Sequence, residues 1–417
     1  MITVENALRL VLDHAGEKPA RSVPLADALG LILAEDVASD IDSPPHDKAM
    51  MDGYAIVAAD LVDGSAELTI IEEVVAGETP KRRIEPGQAT RIMTGAPAPE
   101  GADAVVMVEQ TEVLEGGESL GRVCIRDAKL KAGANILPQG VAMRRGELVL
   151  SPGAEIRPCD VGLLAEVGRD HVHAIPRPRV AVLSTGNELV PPSQTPTAGQ
   201  IRNSNGPMLA AMATHAGGKP CELGIGRDDR ESLRRLIARG LEADILVLSG
   251  GVSAGVLDLV PSVLSEMGVV EVFHKVHLKP GKPIWFGVTS GEGQETGGQE
   301  TGGQETLVFG LPGNPVSSFV CFALFVAPAL RAIAGLADVR NETTTGRLPK
   351  KYAHKGNRPT FHPAVFHSDA EGEGVVEPVQ WRGSADLRAL SKANSLAYFP
   401  AGTRNFSAGE ALQVYLL

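Results

Sequence analysis

Between residues 177 and 334, apolar runs of strand length alternate with segments of helical spacing, and no other feature restricts the fold of this chain as strongly. The strand candidates are residues 180–184, 221–225, 244–249 and 270–276. Between two of them Leu233, Leu236, Ile237 and Leu241 recur at helical spacing. Such an alternation builds a parallel sheet covered on both faces, with right-handed crossovers. In open sheets of this kind ligands sit beyond the carboxyl ends of the strands. Each such end carries a polar loop here: Ser184-Thr185-Gly186-Asn187-Glu188, Gly226-Arg227-Asp228-Asp229, Ser249 to Gly255 followed by Asp258, Lys279-Pro280-Gly281-Lys282-Pro283, and Leu311-Pro312-Gly313-Asn314-Pro315. The loops are expected to converge on one crevice.

At 417 residues the chain exceeds what one hydrophobic core supports, so several domains are expected. Ala7, Leu8, Val11 and Leu12 share a helix face, and 29–37 is a second apolar run, which predicts a helical or mixed N-terminal domain over 1–42 and 141–176. Strand-like runs at 68–75, 104–108 and 122–125, set off by Gly and Pro turns, predict an inserted β domain over 43–140. Ile175-Pro176-Arg177-Pro178 reads as a linker into the α/β domain, 177–334. Beyond it, short runs at 374–379, 396–399 and 412–417 predict a C-terminal β-barrel over 335–417. Within 291–306 the triplet Gln-Glu-Thr occurs three times between strand-like 284–288 and 307–309, and reads as a hairpin tip with little to bury.

A net charge of −12 argues against nucleic acid or an anionic membrane as partner, because both recruit an excess of Lys and Arg. The four cysteines are dispersed without a CxxC pair, a pattern that fits neither a disulfide scaffold nor a zinc ribbon. The start lacks a basic segment followed by an apolar run, and the longest apolar stretch, 319–330, is shorter than a bilayer span. A cytoplasmic location is the expectation.

Ser249, Gly250, Gly251 and Ser253 lie in a loop that runs from a strand towards a helix, so its backbone N–H groups could cradle a phosphate. Gly251 to Gly255 also spells GxSxG, but a nucleophile elbow places its serine at the strand-to-helix turn, and Ser253 comes later. Lys282 is followed by Pro283, so the chain has no Walker A lysine at that loop. Glu188, Asp228, Asp229 and Asp258 supply carboxylates at the same edge; Mg²⁺ is commonly held by one or two carboxylates plus substrate phosphates, which assigns Asp228 and Asp258 as metal ligands. An Asp after a strand is also a frequent helix N-cap, the role expected of Asp229. Lys275, Lys279 and Lys282 form a basic side, with prolines limiting the freedom of the last two. Clustered lysines are often a solvated face, a reading that the Lys-Pro-Gly-Lys-Pro setting disfavours. His274, His277, His362 and His367 form no HExxH-type ligand set and are read as structural.

Several stretches occur in a shared order: Pro44-Pro45-His46-Asp47 with Met51-Asp52-Gly53-Tyr54-Ala55, Ile92-Met93-Thr94-Gly95-Ala96 with Gly101 to Val106, Ser184 to Leu189, Asn203-Ser204-Asn205-Gly206, Asp228-Asp229, Ser249 to Asp258, Lys279 to Pro283 and Gly310 to Ser317. In these the chain resembles, along nearly its whole length, the MoeA family of molybdopterin molybdotransferases, which includes the E domain of gephyrin. The resemblance implies four domains per subunit and an elongated homodimer in which Asp52 and Thr94 complete the partner's site. It implies that adenylylated molybdopterin and molybdate give molybdenum cofactor and AMP, assisted by Mg²⁺. Asp52, Thr94, Glu188, Asp228, Asp258, Lys275 and Lys279 would then be catalytic. Thr185, Ser249, Gly250, Gly251, Ser253, Pro280, Lys282, Asn314, Ser317, Arg358 and Ser384 would bind substrate. The adenylyltransferase that makes the activated pterin and molybdoenzyme maturation proteins are further partners by the same resemblance. Two stretches depart from the family: Leu137 to Ala142 lacks a carboxylate usual there, at Ala142, and Lys48-Ala49-Met50 replaces Asn-Ser-Ala. An adenylyltransferase and a pterin-binding scaffold are the alternative functions.

Overall fold

Strand Arg179–Thr185 buries every residue after the first, the pattern of a strand covered on both faces. The computed structural model describes residues 1–114, 120–251, 259–289 and 305–417. They form two units: Met1–Ala34, Gly153–Arg157 and His171–Leu417 make the first, and Glu35–Pro152 with Pro158–Asp170 the second.

Arg179–Thr185 lies within a six-stranded sheet of order Lys219–Gly226, Arg179–Thr185, Ile245–Ser249, Leu307–Leu311, Trp285–Thr289, Val269–His274. The first four strands are parallel. Trp285–Thr289 runs antiparallel to both its neighbours, adding a reversed strand that the strand–helix alternation did not announce, since a hairpin return needs no crossover helix. Val180, Val182, Ile245 and Val247 pack in one core with Leu209 and Ala213 of helix Asn205–His215. The intervening Ala181, Leu183, Leu246 and Leu248 pack in another with Leu233, Leu236 and Ile237 of helix Arg230–Gly240. This period of two puts the helices on opposite faces, so the winding reverses between Arg179–Thr185 and Ile245–Ser249. Truncating Leu183 or Leu248, both fully buried, to alanine should cost about 2–5 kcal/mol.

Helix Val4–His14 is capped by Thr3, whose Oγ1 accepts from Asn6 N at 3.2 Å, and it sends Ala7 and Val11 into the first of these cores. The 29–37 run is extended: Ile32–Leu33 and Arg21–Pro24 flank His171–Ile175 in a small sheet. The apolar run at 319–330 belongs to a 19-residue helix, Pro315–Ile333, whose most apolar 18-residue stretch is 78% buried. By length and composition it could cross a membrane, yet Val316, Val320, Phe322, Phe325 and Leu330 supply the core. A π turn interrupts it at Phe322–Val326, where Asn341 Nδ2 donates to Ala323 O at 2.9 Å. A closed five-stranded barrel follows, formed by Thr343–Arg347, Gly374–Pro378, Thr360–Ser368, Ser395–Phe399 and Ala411–Leu416.

The second unit holds a six-stranded sheet with an apolar cluster around Tyr54, Leu68, Val106 and Ile125 and another around Ala55, Val74, Ile92 and Val105. Gly53 is required by packing: a Cβ there would lie 1.8 Å from Val106 O.

All of the Gln-Glu-Thr repeat except Glu305 and Thr306 lies outside the described residues, and the flanking strands close at Thr289 and Thr306. Thr289 N donates to Thr306 O at 3.2 Å and Thr306 N to Thr289 Oγ1 at 2.9 Å. Deleting 293–303 leaves about five residues between them, a common hairpin-loop length. The shortened protein should unfold within about a degree or two of the parent in a thermal scan, because loop-closure entropy changes slowly with length. A large fall would show that the repeat supports the sheet.

Candidate functional site

The carboxyl ends of Arg179–Thr185 and Ile245–Ser249, the two strands between which the winding reverses, open into a cavity of ≈ 760 Å³. Its floor is made where Gly250 crosses Thr185. Gly250 has φ +96°, its N–H donates to Leu311 O at 3.1 Å, and a Cβ there would sit 2.5 Å from Thr185 O, so only glycine permits the approach. The Thr185 hydroxyl is buried there without a hydrogen-bond partner among the described residues. Asn205, at the start of helix Asn205–His215, donates from Nδ2 to Ser249 Oγ and to Gly313 O, both at 2.7 Å. Its Oδ1 is buried and has no partner among the described residues. Asn203 Oδ1 in turn accepts from Ser184 Oγ and Gly206 N, both at 3.0 Å, which fixes the turn that aims Asn205. A hydroxyl and an amide oxygen left unsatisfied in a polar wall are costly unless a ligand meets them.

Asp228 and Glu188 are exposed and line the cavity. Asn187 N donates to Asp228 Oδ2 at 3.1 Å and Asp228 N to Asn187 Oδ1 at 3.2 Å, a reciprocal pair that pins the two loops together. Asp229 caps helix Arg230–Gly240 through Ser232 N at 2.8 Å, the role expected of it. Among the described residues no three His, Cys, Asp or Glu side chains gather as a metal-holding group. Glu188 and Asp228 are the carboxylates at the rim, and a hard cation bound there would take its remaining oxygens from a bound phosphate. Ser253 and Asp258 lie outside the described residues.

The basic loop lies apart from that cavity. Lys275, at φ +72°, donates its N–H to Ile284 O at 2.9 Å, and Val276 N to Lys282 O at 3.0 Å closes the turn. Lys279 is stitched to the barrel, its N–H donating to Pro359 O and its carbonyl accepting from Phe361 N, both at 2.8 Å. Arg358 Nη1 donates to Leu278 O at 2.8 Å. A Cβ on Gly281 would fall 2.4 Å from Cys321 Sγ and 3.6 Å from Ser317 O, which places the loop against helix Pro315–Cys321.

The loops expected on one crevice are thus divided between two clusters. Thr185, Glu188, Asp228, Ser249, Gly250, Gly251 and Asn314 line the cavity. Pro280, Ser317 and Arg358 gather with Lys279, while Lys275 and Lys282 stand on the same loop. The loop leaves edge strand Val269–His274, three strands away from Ile245–Ser249 in the sheet, and the barrel captures it. Asn314 and Ser384 link the clusters: Asn314 Nδ2 donates to Ser384 Oγ at 2.9 Å, and Val316 N to Ser384 O at 3.0 Å. Asn314 and Ser317 are separated by about 4.5 Å of helix rise.

In the second unit, Thr94 donates from N at 2.7 Å and from Oγ1 at 2.6 Å to Asp52 Oδ1. The hydroxyl, then the amide, hold the Asp52 carboxyl below its ordinary pKa, so it is ionised near neutrality. Ala142, where the sequence departs from the family, is exposed and donates its N–H to Ser43 O at 3.0 Å. Sequence reading did not assign roles to Asn187 and Asn205. Their place in the quoted Ser184–Leu189 and Asn203–Gly206 stretches was the available signal.

Three sequence families cover the chain in succession: the MoeA N-terminal region (domain I and II) matches residues 2–168, a probable molybdopterin binding domain 181–332, and the MoeA C-terminal region (domain IV) 345–417. A molybdopterin molybdenumtransferase of Bacillus subtilis (strain 168) is 32% identical over 422 residues, covering 100% of this chain and 94% of that protein. One of Staphylococcus aureus (strain Mu50) is 32% identical over 423 residues, with 100% and 95% covered. The crystal structure of the molybdopterin biosynthesis MoeA protein from Pyrococcus horikoshii superposes with a TM-score of 0.78 at 32% identity, covering 100% of this chain and 99% of the other. A second structure of a MoeA protein from Pyrococcus horikoshii OT3 gives 0.74 at 30% identity, with both chains fully covered, 100% each.

Proposed function

We propose, because this chain belongs to the MoeA family, that it inserts molybdenum: adenylylated molybdopterin and molybdate are converted to molybdenum cofactor, and AMP is released. The observation that carries the proposal is the cavity at the winding reversal, whose two buried unsatisfied groups, Thr185 Oγ1 and Asn205 Oδ1, suit a flat heterocycle rich in N–H donors. The pterin lies in that cavity, its amide edge on Asn205. The Gly250–Gly251 turn leaves space for a phosphate beside the strand end. Lys279, with Arg358 beside it, stabilises negative charge on the transferring oxyanion, and holding molybdate next to the dithiolene replaces a rare encounter by a high effective concentration.

Asp228 and Glu188, with Asp258, are the residues that would hold Mg²⁺ together with substrate phosphate oxygens. When bound, the ion would supply charge neutralisation at the phosphoanhydride. The reading includes a homodimer in which Asp52, kept ionised by Thr94, serves the partner's site, and a cytoplasmic handover of activated pterin from its adenylyltransferase and of product to maturation proteins. It favours insertion over adenylylation because the N-terminal and C-terminal MoeA regions accompany the pterin-binding domain.

Complementation tests the proposal: in a bacterial strain lacking its molybdotransferase, this chain should restore nitrate reductase activity. Failure by a well-expressed, folded protein would favour the scaffold alternative.

A further inference from the structure

Ser318, fully buried in helix Pro315–Cys321, lies behind the part of the cavity wall formed by Asn205, Ser249 and Gly313. Its two donors reach back to the loop that enters the helix: Oγ donates to Pro312 O, and the backbone N–H donates to Asn314 O at 3.0 Å. Of three successive carbonyls, Ser318 thus holds the first and the third. The one between them, Gly313 O, accepts from Asn205 Nδ2 at 2.7 Å. These contacts have a forced direction. A carbonyl oxygen only accepts, so the single hydroxyl proton of Ser318 belongs to Pro312 O. In the longer contact between the hydroxyls of Ser249 and Ser318, at 3.5 Å, Ser249 is then the donor. With its proton turned to Ser318, Ser249 Oγ presents lone pairs to Asn205 Nδ2 at 2.7 Å. Both amide hydrogens of Asn205 are therefore taken, and Oδ1, buried and without a partner among the described residues, is left as an acceptor.

Resting on the reading of this cavity as the pterin site, we infer that Ser318 is a positioning residue for pterin recognition. It touches no substrate; it acts through Gly313 and Ser249 to hold the Asn205 amide with Oδ1 as the acceptor for a donor edge of the heterocycle. Without the Ser318 hydroxyl, Pro312 O loses its partner and Ser249 is free to turn its proton elsewhere, so two of the supports that fix the amide are weakened together. Asn205 would then have to be ordered when the ligand arrives, and that ordering is subtracted from affinity.

Fluorescence titration of the full-length protein with pterin-6-carboxylate tests this in the parent, Ser318→Ala, Asn205→Ala and the double variant. Ser318→Ala should weaken binding about fivefold and Asn205→Ala about tenfold, the scale of one lost hydrogen bond. The double variant should bind within about twofold of Asn205→Ala, because a residue that acts through Asn205 has nothing left to act on; independent effects would multiply to about fiftyfold. A role in packing alone would not produce that dependence. Ser318→Cys keeps the volume and a weaker donor, so it should recover part of the loss, and it takes the place of Ser318→Ala in the cycle if the alanine variant unfolds at the assay temperature. The inference falls alone if the parent binds the pterin and either the Ser318 change leaves affinity as it was or the two changes multiply. If the parent does not bind pterin-6-carboxylate, the pterin reading of the cavity fails and takes the inference with it.

Discussion

Lys279→Gln is expected to slow AMP release by about a hundredfold at saturating substrate, an effect of roughly 3 kcal/mol on the barrier, while leaving the unfolding midpoint unchanged. The two consequences separate because the residue has two parts with different duties. Its backbone N–H and C=O tie the loop to the barrel, and a glutamine keeps both bonds. Its ammonium pairs with no carboxylate among the described residues, so removing it costs the fold no ion pair. Single-turnover AMP release and a thermal scan on one preparation check both halves. Unchanged release would remove the basic loop from the chemistry, and a large fall in midpoint would make the lysine structural.

Gly281→Ala should destabilise the first unit by about 2–4 kcal/mol, through overpacking added to a left-handed backbone that disfavours a side chain. Gly281 sits at φ +111°, and the new Cβ would lie 2.4 Å from the sulfur of Cys321, which is buried in the helix that carries Asn314 and Ser317. Burial drives the Cys321 thiol pKa upward, so it stays neutral and serves as a packing group. Cys321→Ala removes the obstacle. The double variant should therefore be less destabilised than the sum of the two single changes by about 1–2 kcal/mol in urea unfolding. Strict additivity would mean that the loop yields elsewhere, and the placement of Lys279 against the helix would lose its support.

The α/β architecture was legible in the sequence because buried strands and amphipathic helices carry their own periods. Val180 to Leu183 alternate between two cores, and Leu233, Leu236 and Ile237 mark a helix stripe. The crevice was legible for a related reason: polar loops at successive strand ends can only gather on one sheet edge. The separation of Lys279 from that crevice was not legible, because it depends on the antiparallel return through Trp285–Thr289 and on hydrogen bonds to the barrel segment around Thr360, some eighty residues further on. The 29–37 run carried an apolar signal too short to distinguish helix from strand, and pairing with His171–Ile175 decided it. Asp229 was read as a cap from local chemistry alone, since a cap needs only its own first turn.

The central claim is that this chain consumes activated pterin in order to insert metal. Purified protein incubated with adenylylated molybdopterin and Mg²⁺ should release little AMP until molybdate is added, after which AMP and pterin-bound molybdenum should rise together in equal amounts. Consumption of ATP with the adenylate left intact, or AMP release indifferent to molybdate, would contradict it.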